Sequence, residues 1–134
     1  MPPRRSDDGA PRHHRQRLGA RGEQLAADWY AARGYEVVAR NWRCRDGEID
    51  LVVRRDGVLV FCEVKTRTSS RFGVPAEAVT VPKQRRLRAL AVRYLAEQAA
   101  SGGAGGGGSG RRVELRFDVA AVMGGRVEVI EAAF

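Results

Sequence analysis

Residues 46–66, DGEIDLVVRRDGVLVFCEVKT, constrain the fold more than any other stretch. Two runs rich in Val, Ile, Leu and Phe flank Asp56-Gly57, a dipeptide that favours a two-residue hairpin turn. With that pair as the turn, Arg55 faces Val58, Asp50 faces Glu63, and Glu48 faces Lys65. Side chains alternate along a strand, so Glu48, Asp50, Glu63 and Lys65 share one face. Opposed residues hold their Cβ atoms about 4.5–5.5 Å apart, close enough for two carboxylates to repel. A chain that keeps Asp50 against Glu63 needs a compensating cation. Lys65 supplies one positive charge, and a divalent metal ion would supply more. The plainer reading of the same residues is a set of surface ion pairs with Lys65 and nearby Arg. Val52 and Phe61 share the face, however, so the carboxylates stand beside apolar surface.

Around the hairpin the chain reads αβββαββ. Leu18, Leu25, Trp29 and Ala32 recur at helical spacing between about Leu18 and Arg33, and Gly34 follows as a helix stop. On that helix Glu23 lies away from Leu25, on the side of Ala27 and Tyr30. Residues 35–43 read as a first strand, and the hairpin strands follow at about 47–54 and 58–66. Residues 67–81 hold Gly73 and Pro75 and read as a loop. Pro82 suits the first turn of a second helix that runs to about Ala100, with Leu87, Leu90, Ala91, Tyr94 and Leu95 as its apolar stripe. Gln84 shares that stripe. The Gly-rich run 101–110 reads as a flexible linker. Strands at 111–122 and 126–131 close the chain, and Asp118 on the first of them reads as structural. One domain over 18–134 follows a basic, disordered tail at 1–17.

Charge is distributed unevenly. The net value is +8, which favours an anionic partner such as nucleic acid. Residues 82–93 carry Lys83, Arg85, Arg86, Arg88 and Arg93 with no acid. A phosphate backbone would relieve their mutual repulsion through counterion release. Arg67 and Arg71 extend the basic track beyond Lys65. Cys44 and Cys62 lack CxxC spacing and a nearby His, which argues for reduced thiols and against a zinc site. His13-His14 lacks the spacing of a ligand set. The chain shows no signal-peptide core and no apolar run of membrane-spanning length, so a cytoplasmic protein without membrane attachment is expected.

A carboxylate on one strand followed by Glu-x-Lys on the next resembles the PD-(D/E)XK nucleases, here Asp50 in GEIDLV and Glu63-Val64-Lys65 in FCEVKTR. Together with GARGEQLAADWYAARGYEVVARNWR and the closing EVIEAAF, the chain resembles the YraN family of small bacterial proteins over residues 18–134. That family is placed among the Holliday-junction-resolvase-like members of the superfamily. Ile49 stands where the superfamily label has Pro, which removes no ligand.

The resemblance implies an α/β, restriction-endonuclease-like fold: a mixed sheet of about five strands flanked by two helices. It implies a Mg²⁺- or Mn²⁺-dependent endonuclease acting on DNA, including branched or structured DNA. Asp50 and Glu63 would be metal ligands, with the backbone carbonyl of Val64. Lys65 would orient or deprotonate the attacking water and stabilise charge on the phosphate. Glu23 resembles the helix-borne carboxylate of resolvase-like sites, and Gln84 the polar residue of the second helix. Arg67, Arg71, Lys83, Arg85, Arg86 and Arg88 would contact the nucleic acid. Resolvase-like relatives act as dimers, so the resemblance admits a homodimer. A non-catalytic nucleic-acid-binding or assembly protein with the same fold is the rival expectation. RNA presents the same phosphates and stays open as a substrate.

Overall fold

The Asp56-Gly57 turn forms with positive φ at both residues, 48° and 81°. That conformation twists a two-residue hairpin in the right sense and explains the Asp-Gly pair. The computed structural model of the protein describes residues 20–67, 79–102 and 112–134. Helix α1 spans 20–31, followed by strands β1 (Glu36–Cys44), β2 (Gly47–Arg55) and β3 (Val58–Arg67). Helix α2 (Val81–Ala100) leads to β4 (Glu114–Met123) and β5 (Arg126–Ile130). The chain is therefore α/β in the expected order. The tail at 1–17, Leu18 of the expected α1 stripe, Arg71, most of the 67–81 loop and most of the 101–110 run lie outside the described residues.

The five strands lie in chain order across one sheet. All neighbours are antiparallel except β3 and β4, which run parallel, with α2 in the connection between them. A parallel pair requires such a crossover. The hairpin pairs Arg55 with Val58 through to Leu51 with Cys62, the register set by the turn. Central strands β2 and β3 are covered on both faces, and Leu51, Val52, Val53, Val60, Phe61 and Cys62 are fully buried. Leu51, Val53, Val60 and Cys62 meet α1 through Ala26, Ala27 and Tyr30. Val52 and Phe61 meet α2 through Leu87, Leu90, Ala91 and Tyr94.

Each helix is placed by identifiable contacts. Thr80 caps α2, its hydroxyl accepting from the Lys83 N–H at 3.4 Å, and Pro82 sits in the first turn, where a missing N–H costs nothing. In α1 the expected stripe needs correction. Gly22, Ala26, Ala27 and Tyr30 are the buried positions, whereas Leu25 and Trp29 are half-buried and Ala32 is exposed. Small residues let the helix approach the sheet closely, and the Trp29 ring stacks under the Arg33 guanidinium at 3.7 Å. Glu23, on the side of Ala27 and Tyr30, consequently belongs to the face turned toward the sheet.

Asp118 is fully buried. It accepts from Tyr30 Oη at 2.6 Å, from two Arg116 nitrogens at 2.9 Å each, and from the Ala132 N–H at 3.0 Å. This network ties α1, β4 and the C-terminal residues together, in keeping with a structural aspartate. Among the described residues, no helix is long and apolar enough to cross a membrane.

Candidate active site

The hairpin ladder ends at Leu51 and Cys62. One residue further, the Asp50 carboxylate accepts the Val64 N–H at 2.8 Å. A side chain thus takes up a backbone donor that a continued ladder would have paired. Asn41 on β1 has φ of 49°, and Ile49 and Val52, of opposite parity, both join the α2-side core. The pleat is therefore irregular around Asp50, and the irregularity gives the carboxylate its hydrogen-bond donor. In a strand a residue's N–H and C=O point to the same side. The Val64 carbonyl accordingly belongs to the edge facing Asp50.

Burial raises the Asp50 pKa first, and Glu63 second, to about 7, against a lowering by the Val64 hydrogen bond. Glu23 and Glu48 push it in the same direction as Glu63. Three other carboxylates therefore act on Asp50. Glu63 receives two ammonium partners, Lys65 Nζ at 3.1 Å and Lys83 Nζ at 3.8 Å. Burial lowers the Lys65 pKa, but its hydrogen bond to Lys83 and the Glu63 carboxylate outweigh burial and raise it. Lys83 is driven the other way by its contact with Lys65, and by burial. The pair thus favours the proton on Lys65.

Glu23 reaches the site because α1 packs tightly onto the end of β3. A Cβ on Gly22 would overlap the Thr66 hydroxyl, one residue beyond Lys65. Gly22→Ala should therefore push α1 outward and destabilise the protein by about 1–3 kcal/mol. Thr66→Ala removes the overlapping oxygen and should recover most of that loss in the double variant. Urea unfolding of the two single variants and the double variant checks this; additive losses would contradict it.

The remaining expected residues are dispersed. Gln84 donates to the Val79 carbonyl at 3.1 Å and so braces the entry to α2. Arg67 ends β3 and is half-buried, and Arg85 is exposed on α2. The Arg88 guanidinium lies over the Phe117 ring at 4.8 Å and the Phe134 ring at 5.5 Å. Arg93 pairs with Asp46 in the β1–β2 turn. The cations of α2 therefore point to separate tasks. Arg86 faces a cavity of about 540 Å³ that also touches Glu48, Asp50, Glu63 and Lys83.

Two features escaped sequence reasoning. Lys83, expected only as one of the basic residues facing nucleic acid, is the α2 residue that reaches Glu63. Arg43 and Cys44 line the cavity, and nothing in their local sequence marks them for it.

The donor set can be tested against a divalent cation. Among the described residues, no three His, Cys, Asp or Glu side chains form a ready ligand cage. Asp50, Glu63 and the Val64 carbonyl are all oxygen donors. That sparse, hard set suits Mg²⁺ or Mn²⁺, which keep several waters and take remaining ligands from a phosphate. The residues present fit such an ion.

Comparison with known proteins adds the lineage. The sequence model of the uncharacterised protein family UPF0102 matches residues 22–122. A UPF0102 protein of Beutenbergia cavernae is 52% identical over 109 residues, covering 81% of this chain and 84% of the relative. One from Acidothermus cellulolyticus is 45% identical over 125 residues, covering 90% and 95%. One from Symbiobacterium thermophilum is 58% identical over 81 residues, covering 60% and 69%.

Proposed function

The chain belongs to the UPF0102, or YraN, family, and from that premise we propose that it is a metal-dependent endonuclease hydrolysing phosphodiester bonds of DNA, branched or structured DNA included. The observation that carries this reading is the convergence of Asp50 and Glu63 beside the Lys65 ammonium, at the end of a hairpin that gives up regular pairing there. A purely structural hairpin gains nothing from a carboxylate whose pKa is raised to about 7. Such perturbed groups cluster at functional sites.

Asp50, Glu63 and the Val64 carbonyl would hold Mg²⁺ or Mn²⁺. When bound, the ion neutralises charge on the scissile phosphate and makes a bound water more acidic. The chain's own groups do the rest. Lys65, kept charged by Lys83 and Glu63, stabilises the negative charge that grows on the phosphate oxygens. Glu63 orients that ammonium through the 3.1 Å contact. Glu23 adds negative potential at Asp50 and so favours a cation there. Arg86 and Lys83 offer positive charge to the flanking phosphates.

One observation favours a second reading. Glu63 already has two ammonium partners, so the cluster can be neutral without a metal, as in a nucleic-acid-binding or assembly protein without turnover. Incubation with linear, nicked, flapped and four-way DNA separates the two. The nuclease reading expects cleavage in Mg²⁺ or Mn²⁺ and none in EDTA. Binding without cleavage in every condition would favour the second reading instead.

A further inference from the structure

The cavity beside the acidic pair has its own chemistry. Asp50 and Glu63 form one end of it, and neither Lys65 nor Glu23 lines it. It therefore runs away from the Lys65 side, between the β1–β2 turn and α2. Its floor is apolar: Leu87 and Leu90 are buried, and Cys44 is half-buried. Its rim pairs opposite charges, exposed Arg43 with exposed Glu48 at 3.7 Å and half-buried Lys83 with Glu63 at 3.8 Å, and adds the exposed Arg86.

The walls are fixed before any ligand arrives. Gly47 has φ of 149°, and a Cβ there would lie 3.2 Å from Leu90 Cδ1, so the turn backbone packs directly on α2. The Arg93–Asp46 ion pair holds the same turn to the same helix. At about 540 Å³ the space falls within the roughly 300–1,000 Å³ of sites that enclose one small molecule.

An apolar floor beside the Arg86 guanidinium suits a flat apolar body that carries an anionic group. Beside a site that holds a phosphodiester, the continuing chain supplies such a group at every residue. We infer that this cavity seats one unpaired nucleotide next to the scissile bond, its base on Cys44, Leu87 and Leu90 and its phosphate toward Arg86. The inference rests on the nuclease reading above and narrows its substrate. A base inside a continuous duplex is covered by its stacked neighbours and its partner, and extruding it costs a few kcal/mol. A nucleotide at a flap, gap or junction is already free of that cost. Substrates with unpaired nucleotides at the cut should therefore be preferred.

Cys44 provides a probe independent of cleavage. Cys62 is fully buried, and burial pushes its thiol pKa up, so iodoacetamide reports on Cys44. In EDTA or in Mg²⁺, saturating oligothymidylate should slow Cys44 alkylation about tenfold, as high occupancy of the cavity requires. A blunt duplex at equal concentration should leave the rate nearly unchanged. Equal protection by both, no protection by either, or a Cys44 that never reacts would overturn the inference. In the second arm, Cys44→Trp fills the cavity and should abolish any preference for flapped over blunt DNA. An unaltered preference in that variant would overturn it too. Protection without cleavage in any metal would sink the nuclease reading and leave the cavity as a nucleotide site. Cleavage without protection would do the reverse.

Discussion

Asp50→Asn is expected to make the metal-free protein more stable, by about 2–4 kcal/mol at mildly alkaline pH. The folded protein holds the Asp50 pKa at about 7, up from 3.8. Below about pH 4 both folded and unfolded chains carry the proton, and the group is neutral to stability. Between those values the unfolded chain gives up the proton while the folded chain keeps it, so stability falls as pH rises through 7. Each pKa unit is worth about 1.4 kcal/mol, so the full penalty would approach about 4 kcal/mol, reduced by the partial solvent access of the group. Asparagine retains the oxygen that accepts the Val64 N–H and lacks the charge. Urea unfolding at acid and alkaline pH checks this. The stability advantage of the variant should vanish at the acid end, and a variant less stable than the parent at alkaline pH would contradict the account.

Asp118→Ala should lower stability by about 3–5 kcal/mol, the cost of removing one partner of a buried ion pair. Tyr30 Oη, two Arg116 nitrogens and the Ala132 N–H would all lose their acceptor at once. Asp118 also holds the Arg116 guanidinium pKa above its usual value, first through their hydrogen bonds. Replacement would leave that cation half-enclosed beside Tyr35, with Glu131 at 3.7 Å as its remaining carboxylate. Tyr30→Phe removes one hydroxyl and should cost less, about 1–3 kcal/mol. The denaturation midpoint measures both. A loss below about 1 kcal/mol for Asp118→Ala would show that the network does not hold the C-terminal residues to the sheet.

The hairpin was the most legible part of the chain. Its turn chemistry and strict alternation fix a register by local rules, and those rules set Arg55 against Val58. The second helix was nearly as clear, because Leu87, Leu90, Ala91 and Tyr94 form one apolar stripe behind Pro82. The first helix was harder. Gly22, Ala26 and Ala27 carry little hydrophobic signal, yet their small size is what lets α1 touch the sheet, while the larger Leu25 and Trp29 stay partly outside. The Asp50–Val64 hydrogen bond could not be read either. It forms where the β2–β3 ladder stops, at Leu51 and Cys62, and no residue of the hairpin marks that end. Lys83 reaches Glu63 only because α2 packs on the face of the hairpin, and the cavity exists only because Gly47 brings a distant turn against Leu90. These are products of packing between elements far apart in sequence.

Single-turnover cleavage of a flapped DNA by the parent protein, Asp50→Asn and Lys65→Ala, each with Mg²⁺ and with EDTA, bears most directly on the proposed chemistry. Parent protein that cuts only with Mg²⁺, beside two folded variants that do not cut, is the expected result. Equal cutting by all three would mean that the acidic pair and its ammonium have no part in the reaction.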